Sequence, residues 1–186
     1  MNYRFAQILL PLMTIAISAS VLFSELSSAD DQDEHSTKVQ PVATPMAANV
    51  QAQRDSLFAV IDQSFLTVKP ILERSCFDCH SSATHYPWYH KIPLIRGLID
   101  SDIKSGRRHV DFSSGFPFSG RGTILEILKG MRSEIDEGGM PLFTYRMIHW
   151  GTSIDGARQD TLFTWIDSTV NQITAFYDRE KIPYKK

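Results

Sequence analysis

Only two cysteines occur in 186 residues. A disulfide-stapled scaffold is therefore excluded, and so is structural zinc, which needs four Cys/His ligands and would call for a second cysteine pair. Basic blocks are also missing. With 19 Lys/Arg against 21 Asp/Glu and a formal charge of −2, nothing points to nucleic acid as a partner. A protein or a small molecule is the expected partner instead. No internal repeat is visible, and from Asp55 onward no sustained apolar/polar alternation of strand type, so solenoids and sheets drop out as well. What remains is an all-α pattern with 42% hydrophobic residues, enough for one core.

At the N-terminus, Arg4 precedes an apolar run from Ala6 to Phe23 and a small-residue exit at Ser27, Ser28 and Ala29. This is a signal-peptide layout, with cleavage expected after Ala29. The alternative is an uncleaved anchor using residues 6–23 as a membrane tether, although Pro11, Thr14, Ser18 and Ser20 make the run less apolar than most spans. Either way the rest of the chain is expected in the periplasm or on the outer face of the cytoplasmic membrane. Residues 30–54 are acidic and then Pro/Ala/Thr-rich, with too little apolar surface to offset ordering. They read as a disordered linker in which His35 and Met46 have no role. The domain is expected over residues 55–178, with a tail at 179–186.

Helical spacing then recurs. Leu57, Val60, Ile61 and Phe65 mark a first helix, and Val68, Ile71 and Leu72 a second, with Thr67 as its cap and Pro70 in its first turn. A third begins near Pro93 with Ile95, Leu98, Ile99 and Ile103 on one face, stops at Gly106, and carries Lys104, Arg107 and Arg108 at its negative end. A Phe/Gly/Ser/Pro-rich loop spans residues 111–122. Ile124, Ile127, Leu128, Met131 and Ile135 form a fourth helix ending before Gly138 and Gly139, and residues 142–150 a partial one. The last helix is capped by Asp155 and aligns Leu162, Trp165, Ile166, Thr169, Val170, Ile173 and Phe176.

The chemistry concentrates in Cys76-Phe77-Asp78-Cys79-His80. Two thiols at this spacing can each add to a haem vinyl group, and the following imidazole is then directed at the iron. A structural disulfide would close too small a loop to stabilise the chain much, and a thiol oxidoreductase expects a βαβ setting. One covalently held haem is the expected cofactor, with His80 as proximal axial ligand.

For the second axial position, Met140 is the first choice, because Gly138-Gly139-Met140-Pro141 is a loop whose glycines let backbone approach closely. A methionine that merely fills a core gap is the plain alternative. His109, after Gly106-Arg107-Arg108, is the main rival, and otherwise a helix-end cation; His149, His85 and His90 are weaker candidates. An open or water-bound position remains the other option. Tyr86, Pro87, Trp88 and Tyr89 can wall off the macrocycle or simply pack as core aromatics. Arg96, Arg107, Arg108 and Arg121 can pair with propionates or stay solvated.

The ordered series Cys76 to Ser81, Thr84, Tyr86-Pro87-Trp88-Tyr89, Ile92-Pro93, Gly106-Arg107, His109, Asp111-Phe112-Ser113, Met140-Pro141-Leu142, Tyr145 and His149 resembles the exported haem-binding domain proteins, which look like divergent monohaem cytochromes c. The resemblance covers the chain from about Val68 to Ile166. It implies a small cytochrome c-like helical domain wrapped around the haem. Similarity to small cytochromes c further implies that Pro93 offers its carbonyl to the proximal imidazole N–H, and that the His80-to-Met140 separation is that of a His/Met pair. Two departures stand out: the 111–122 loop is longer and richer in Phe and Gly, and Trp150-Gly151-Thr152-Ser153 replaces a His-Pro start. The expected role is a one-electron carrier working with a redox partner protein, not a catalyst. A haem-based gas sensor or ligand-binding module is the alternative, and a peroxidase using His109 with Arg107 or Arg108 a more distant one.

Overall fold

The computed structural model describes residues 45–183. The signal or anchor segment, residues 30–44 of the expected linker with His35, the side chain of Met46 and residues 184–186 lie outside the described residues. The described chain is a small all-α domain: α1 (Pro45–Phe65), α2 (Lys69–Ser75), α3 (Phe77–His80), α4 (Pro93–His109), α5 (Ile124–Asp136), α6 (Phe143–Ile148) and α7 (Gly156–Glu180). A short 3-10 turn covers Trp88–Lys91, and a two-residue ribbon pairs β1 (Val110–Asp111) antiparallel with β2 (Ser119–Gly120).

The core is built from one stripe of each long helix. Ile61 and Phe65 of α1, Leu72 of α2, Leu128 of α5, and Leu162, Ile166 and Ile173 of α7 are fully or almost fully buried. Near their centre the Trp165 indole N–H donates to the Ser64 hydroxyl at 3.0 Å, which satisfies the one polar atom this ring brings inside. The Phe-rich loop is part of this core. Phe112, Phe116 and Phe118 are buried and make edge-on contacts with one another, with Phe65 and with Trp165. Its length and composition thus serve packing, and the ribbon ties its two ends together.

Several elements differ from the sequence expectation. Residues 45–54 are helical, not linker. Ala47, Ala48, Gln51, Ala52, Gln53 and Arg54 have high helix propensity but no apolar stripe, so a search for periodicity passes them by. Gln51 donates to Asp55 one turn on, and Arg179 of α7 donates to Gln53. Val60 points outward. Thr67 does not cap α2: its hydroxyl donates to the Ser64 carbonyl at 2.7 Å, and Val68 holds the cap position without a side-chain bond. Asp155 stands at the start of α7 but accepts from the Arg158 side chain instead of a helix N–H. The expected tail begins late, since α7 continues to Glu180.

On α4 the differences matter for the site. The helix runs through Gly106 to His109, and Leu98 lies 62% exposed while Ile95, Ile99 and Ile103 are half-buried. Gly106 is therefore an interior position and not a stop.

Helix α5 begins with a complete capping box. The Thr123 hydroxyl accepts from Glu126 N–H, and the Glu126 carboxylate accepts from Thr123 N–H at 2.8 Å. Thr123→Ala is expected to cost about 1 kcal/mol, read as a lower denaturant midpoint with unchanged slope.

Candidate functional site

Between the α3–α4 pair and α5 lies a cavity of about 490 Å³. Its walls explain which residues of the sequence count. From α2 and α3 come Leu72, Cys76, Cys79 and His80; from α4 come Asp102, Ser105, Gly106 and His109. From α5 come Ile127, Met131 and Ile135, and the segment after α5 adds Met140, Leu142 and Tyr145. The two cysteines and the histidine of the motif thus face the same space as Met140 and His109.

Both cysteines are free thiols. Burial pushes the Cys76 thiol up to about 12, helped by its neighbour Cys79, and the Cys79 thiol up to about 11, helped by the carboxylates of Asp102 and Asp78. At neutral pH both are S–H, which disfavours disulfide exchange between them.

His80 is held by backbone at two points of one short segment. Its Nδ1 lies 3.0 Å from the Val110 carbonyl, which can only accept, so Nδ1 carries the proton and Nε2 is the free nitrogen. Two residues on, the Phe112 N–H donates to the His80 carbonyl at 2.8 Å. Val110 and Asp111 form β1, so the ribbon and the buried Phe112 fix the clamp. Asp111 secures it further: its carboxylate accepts from Arg107 at 2.8 Å and from the Ser113 N–H and hydroxyl. Burial works to raise the Asp111 carboxyl, but these bonds outweigh it and hold the group below its ordinary value. Burial lowers the His80 pKa against the opposing pull of the Val110 bond, so the imidazole is neutral near pH 7, the form that ligates metals.

Gly106 makes the close packing possible. A Cβ there would lie 2.7 Å from the Cys79 carbonyl oxygen and 3.3 Å from His80 Cε1. A side chain would push α4 off the motif.

A second polar cluster joins the motif to α6. The Tyr145 hydroxyl donates to Asp78 Oδ2 at 2.7 Å, while Asp78 Oδ1 accepts from the His85 backbone N–H at 3.0 Å and faces the His85 ring at 3.2 Å. Burial, and then the bond to Asp78, pushes the Tyr145 phenol well above its ordinary value. Asp78 is therefore more than a spacer between the cysteines.

Other expected site residues are placed elsewhere. Pro93 opens α4 at its first turn, and the carbonyl that accepts from His80 is that of Val110, seventeen positions further on and brought there by the turn from α4 into β1. Trp88 is 77% exposed and does not line the cavity. Tyr89 is outside the lining too, its hydroxyl 3.4 Å from His149 Nε2. Arg107 pairs with Asp111 and lines a separate groove with Lys104 and Arg108. Arg121 is the one guanidinium in the cavity lining. Both ring nitrogens of His149 have partners, Tyr145 O and Tyr89 Oη, and His90 pairs with Asp100.

Sequence reasoning missed Val110, whose contribution is a backbone carbonyl and so leaves no mark in residue type. It also gave Asp78 no role and read Gly106 as a helix stop. An acidic residue inside the motif and a glycine amid good helix formers were the available signals.

A family described as haem-binding domain matches residues 36–168 of the chain. No curated protein and no solved structure matches it.

Proposed function

This chain belongs to the haem-binding domain family, and on that premise we propose that it is a monohaem c-type cytochrome, a one-electron carrier outside the cytoplasm. The observation that carries the proposal is the Val110–His80 bond in a cavity that also presents both thiols: Nδ1–H is committed to a carbonyl, leaving Nε2 to ligate. The residues present fit the group. The cavity is large enough for a cofactor-sized ligand and mostly apolar, and Ser75, which lines it, has a buried hydroxyl without a partner. Haem, when bound, supplies an iron that gains and loses one electron.

The protein's own contribution is to hold and tune. Cys76 and Cys79 would each hold haem by adding S–H across a vinyl group, the sulfur bonding to one carbon and the hydrogen to the other, so that the cofactor would not be lost. His80 would hold the iron through Nε2, its basicity raised by the Val110 carbonyl. Arg121 offers the cavity's guanidinium to a propionate. Leu72, Ile127, Met131 and Ile135 exclude water from the macrocycle and thereby tune its potential.

Met140 would be the second residue to hold the iron. It enters the cavity from the loop after α5, positioned by its own N–H donating to the Glu134 carbonyl at 3.0 Å. His109 lines the same cavity but directly precedes Val110, whose carbonyl already holds the His80 ring, whereas Met140 comes from the separate loop after α5. His109 Nδ1 meanwhile lies 2.9 Å from the Ser105 carbonyl. With His80 and Met140 both holding the iron, the chemistry would be electron exchange with a redox partner protein, which needs no substrate pocket.

Optical spectra of protein matured in a host with c-type haem machinery test the proposal. Met140→Ala is expected to abolish the methionine-to-iron charge-transfer band and to let reduced protein bind carbon monoxide, while His109→Ala leaves the low-spin spectrum intact. Loss of that spectrum in His109→Ala alone would overturn the ligand assignment. Rapid, complete carbon monoxide binding by reduced wild type would replace the carrier with a ligand-binding sensor.

A further inference from the structure

Among the described residues, nine of the eleven large hydrophobic side chains left exposed fall in two short stretches. Tyr86, Trp88, Ile92, Leu94 and Leu98 lie on the 3-10 turn and the start of α4; Phe143, Met147, Ile148 and Trp150 lie on and just after α6. The two stretches meet where Tyr89 touches His149, with Trp88 beside one and Trp150, 87% exposed, beside the other. None of the nine lines the cavity, so the cofactor does not account for their exposure. Contiguous apolar surface of this kind marks an interaction site.

The charge around this face is mostly positive, its nearest carboxylate, Asp100, being paired with His90. Residues 81–99 and 138–154 contain no Asp or Glu, although the whole chain carries 21. They do contain Lys91 and Arg96, both exposed and neither with an ion-pair partner among the described residues, while Arg146 is set back with its Nε buried. Exposed tryptophan and aliphatic side chains bordered by unpaired cations are the composition of a surface that beds at the headgroup level of an anionic bilayer.

We propose that this face docks on an anionic phospholipid membrane, with Trp88, Phe143, Met147 and Trp150 entering the headgroup region and Lys91 and Arg96 on lipid phosphates. No described helix is long and apolar enough to cross a membrane, so the contact is peripheral. Leu142 and Tyr145, which line the cavity, lie in the same segment as Phe143 and Met147. Docking thus brings that wall of the cavity toward the lipid. The inference does not rest on the haem reading and is read out without it.

The full chain is reconstituted on vesicles of phosphatidylcholine with phosphatidylglycerol, carrying a photo-crosslinking phenylalanine derivative at position 150, at position 143, or at position 167 on the solvent side of α7. Crosslinks to lipid are expected at 150 and 143 and to be several-fold rarer at 167. They are expected to fall when phosphatidylglycerol is omitted, and to fall in Lys91→Ala/Arg96→Ala. The position-167 control separates docking from simple tethering by residues 6–23. Equal lipid labelling at all three positions would overturn the proposal, as would labelling only of a second copy of the chain. Crosslinking in cell membranes to an acidic protein in place of lipid would reassign the surface to that partner and equally overturn it.

Discussion

Cys76→Ser/Cys79→Ser is expected to yield protein from which all haem is released by acidic organic solvent, where wild type retains all of it. Each single variant is expected to keep its cofactor through the remaining thioether. The physical reason is nucleophilicity: a serine hydroxyl does not add to a vinyl group under conditions in which a thiol does. Because burial keeps both thiols protonated, the pair waits as S–H in a cavity that also presents Nε2 of His80. Mass spectrometry of the unfolded chain gives the answer directly. Wild-type chain without added haem mass after c-type maturation would refute covalent attachment, and a double variant that still carried that mass would refute attachment through these residues.

Gly106→Val is expected to lose both stability and cofactor. Even Gly106→Ala places a Cβ 2.7 Å from the Cys79 carbonyl oxygen, a backbone atom that cannot swing aside, so α3 and α4 have to separate. Overpacking of this kind costs about 1–3 kcal/mol for one methyl, and the branched side chain adds to it. Separation also strains the Val110–His80 bond, since Val110 follows α4 directly, so haem content is expected to fall with the denaturant midpoint. Gly97→Ala on the same helix is the control. Nothing lies within 4 Å of a Cβ at that position, and replacing an exposed helical glycine is expected to raise stability by about 1 kcal/mol. Two identical substitutions nine residues apart should therefore move the midpoint in opposite directions. Equal shifts would mean that Gly106 has no packing role.

The contrast between these glycines shows what a linear pattern conveys. A glycine ends helices often enough that Gly106, followed by two arginines, reads as a stop. Nothing local distinguishes that use from close approach to another helix, because the Cys79 carbonyl that occupies the space comes from a different part of the chain. Leu98 illustrates the same limit. It fits the spacing of Ile95, Ile99 and Ile103, yet faces solvent, because the helix buries a narrower stripe than the spacing allows. Helix α1 fails the other way, its first half helical by propensity and without an apolar stripe to announce it.

The sequence by itself determined the all-α class, the close spacing of Cys76, Cys79 and His80, and the glycine-flanked loop that carries Met140. Each rests on local covalent spacing or on periodicity along one helix, which the chain carries wherever it folds. Only the tertiary structure decided which backbone carbonyl holds His80, that Asp78 and Tyr145 join the motif to α6, and that Trp88 and Trp150 border one apolar face. Those are contacts between segments many residues apart. A backbone oxygen has no side chain to advertise it, and a tryptophan reads the same in the sequence whether the fold buries it, as it does Trp165, or leaves it to meet a surface.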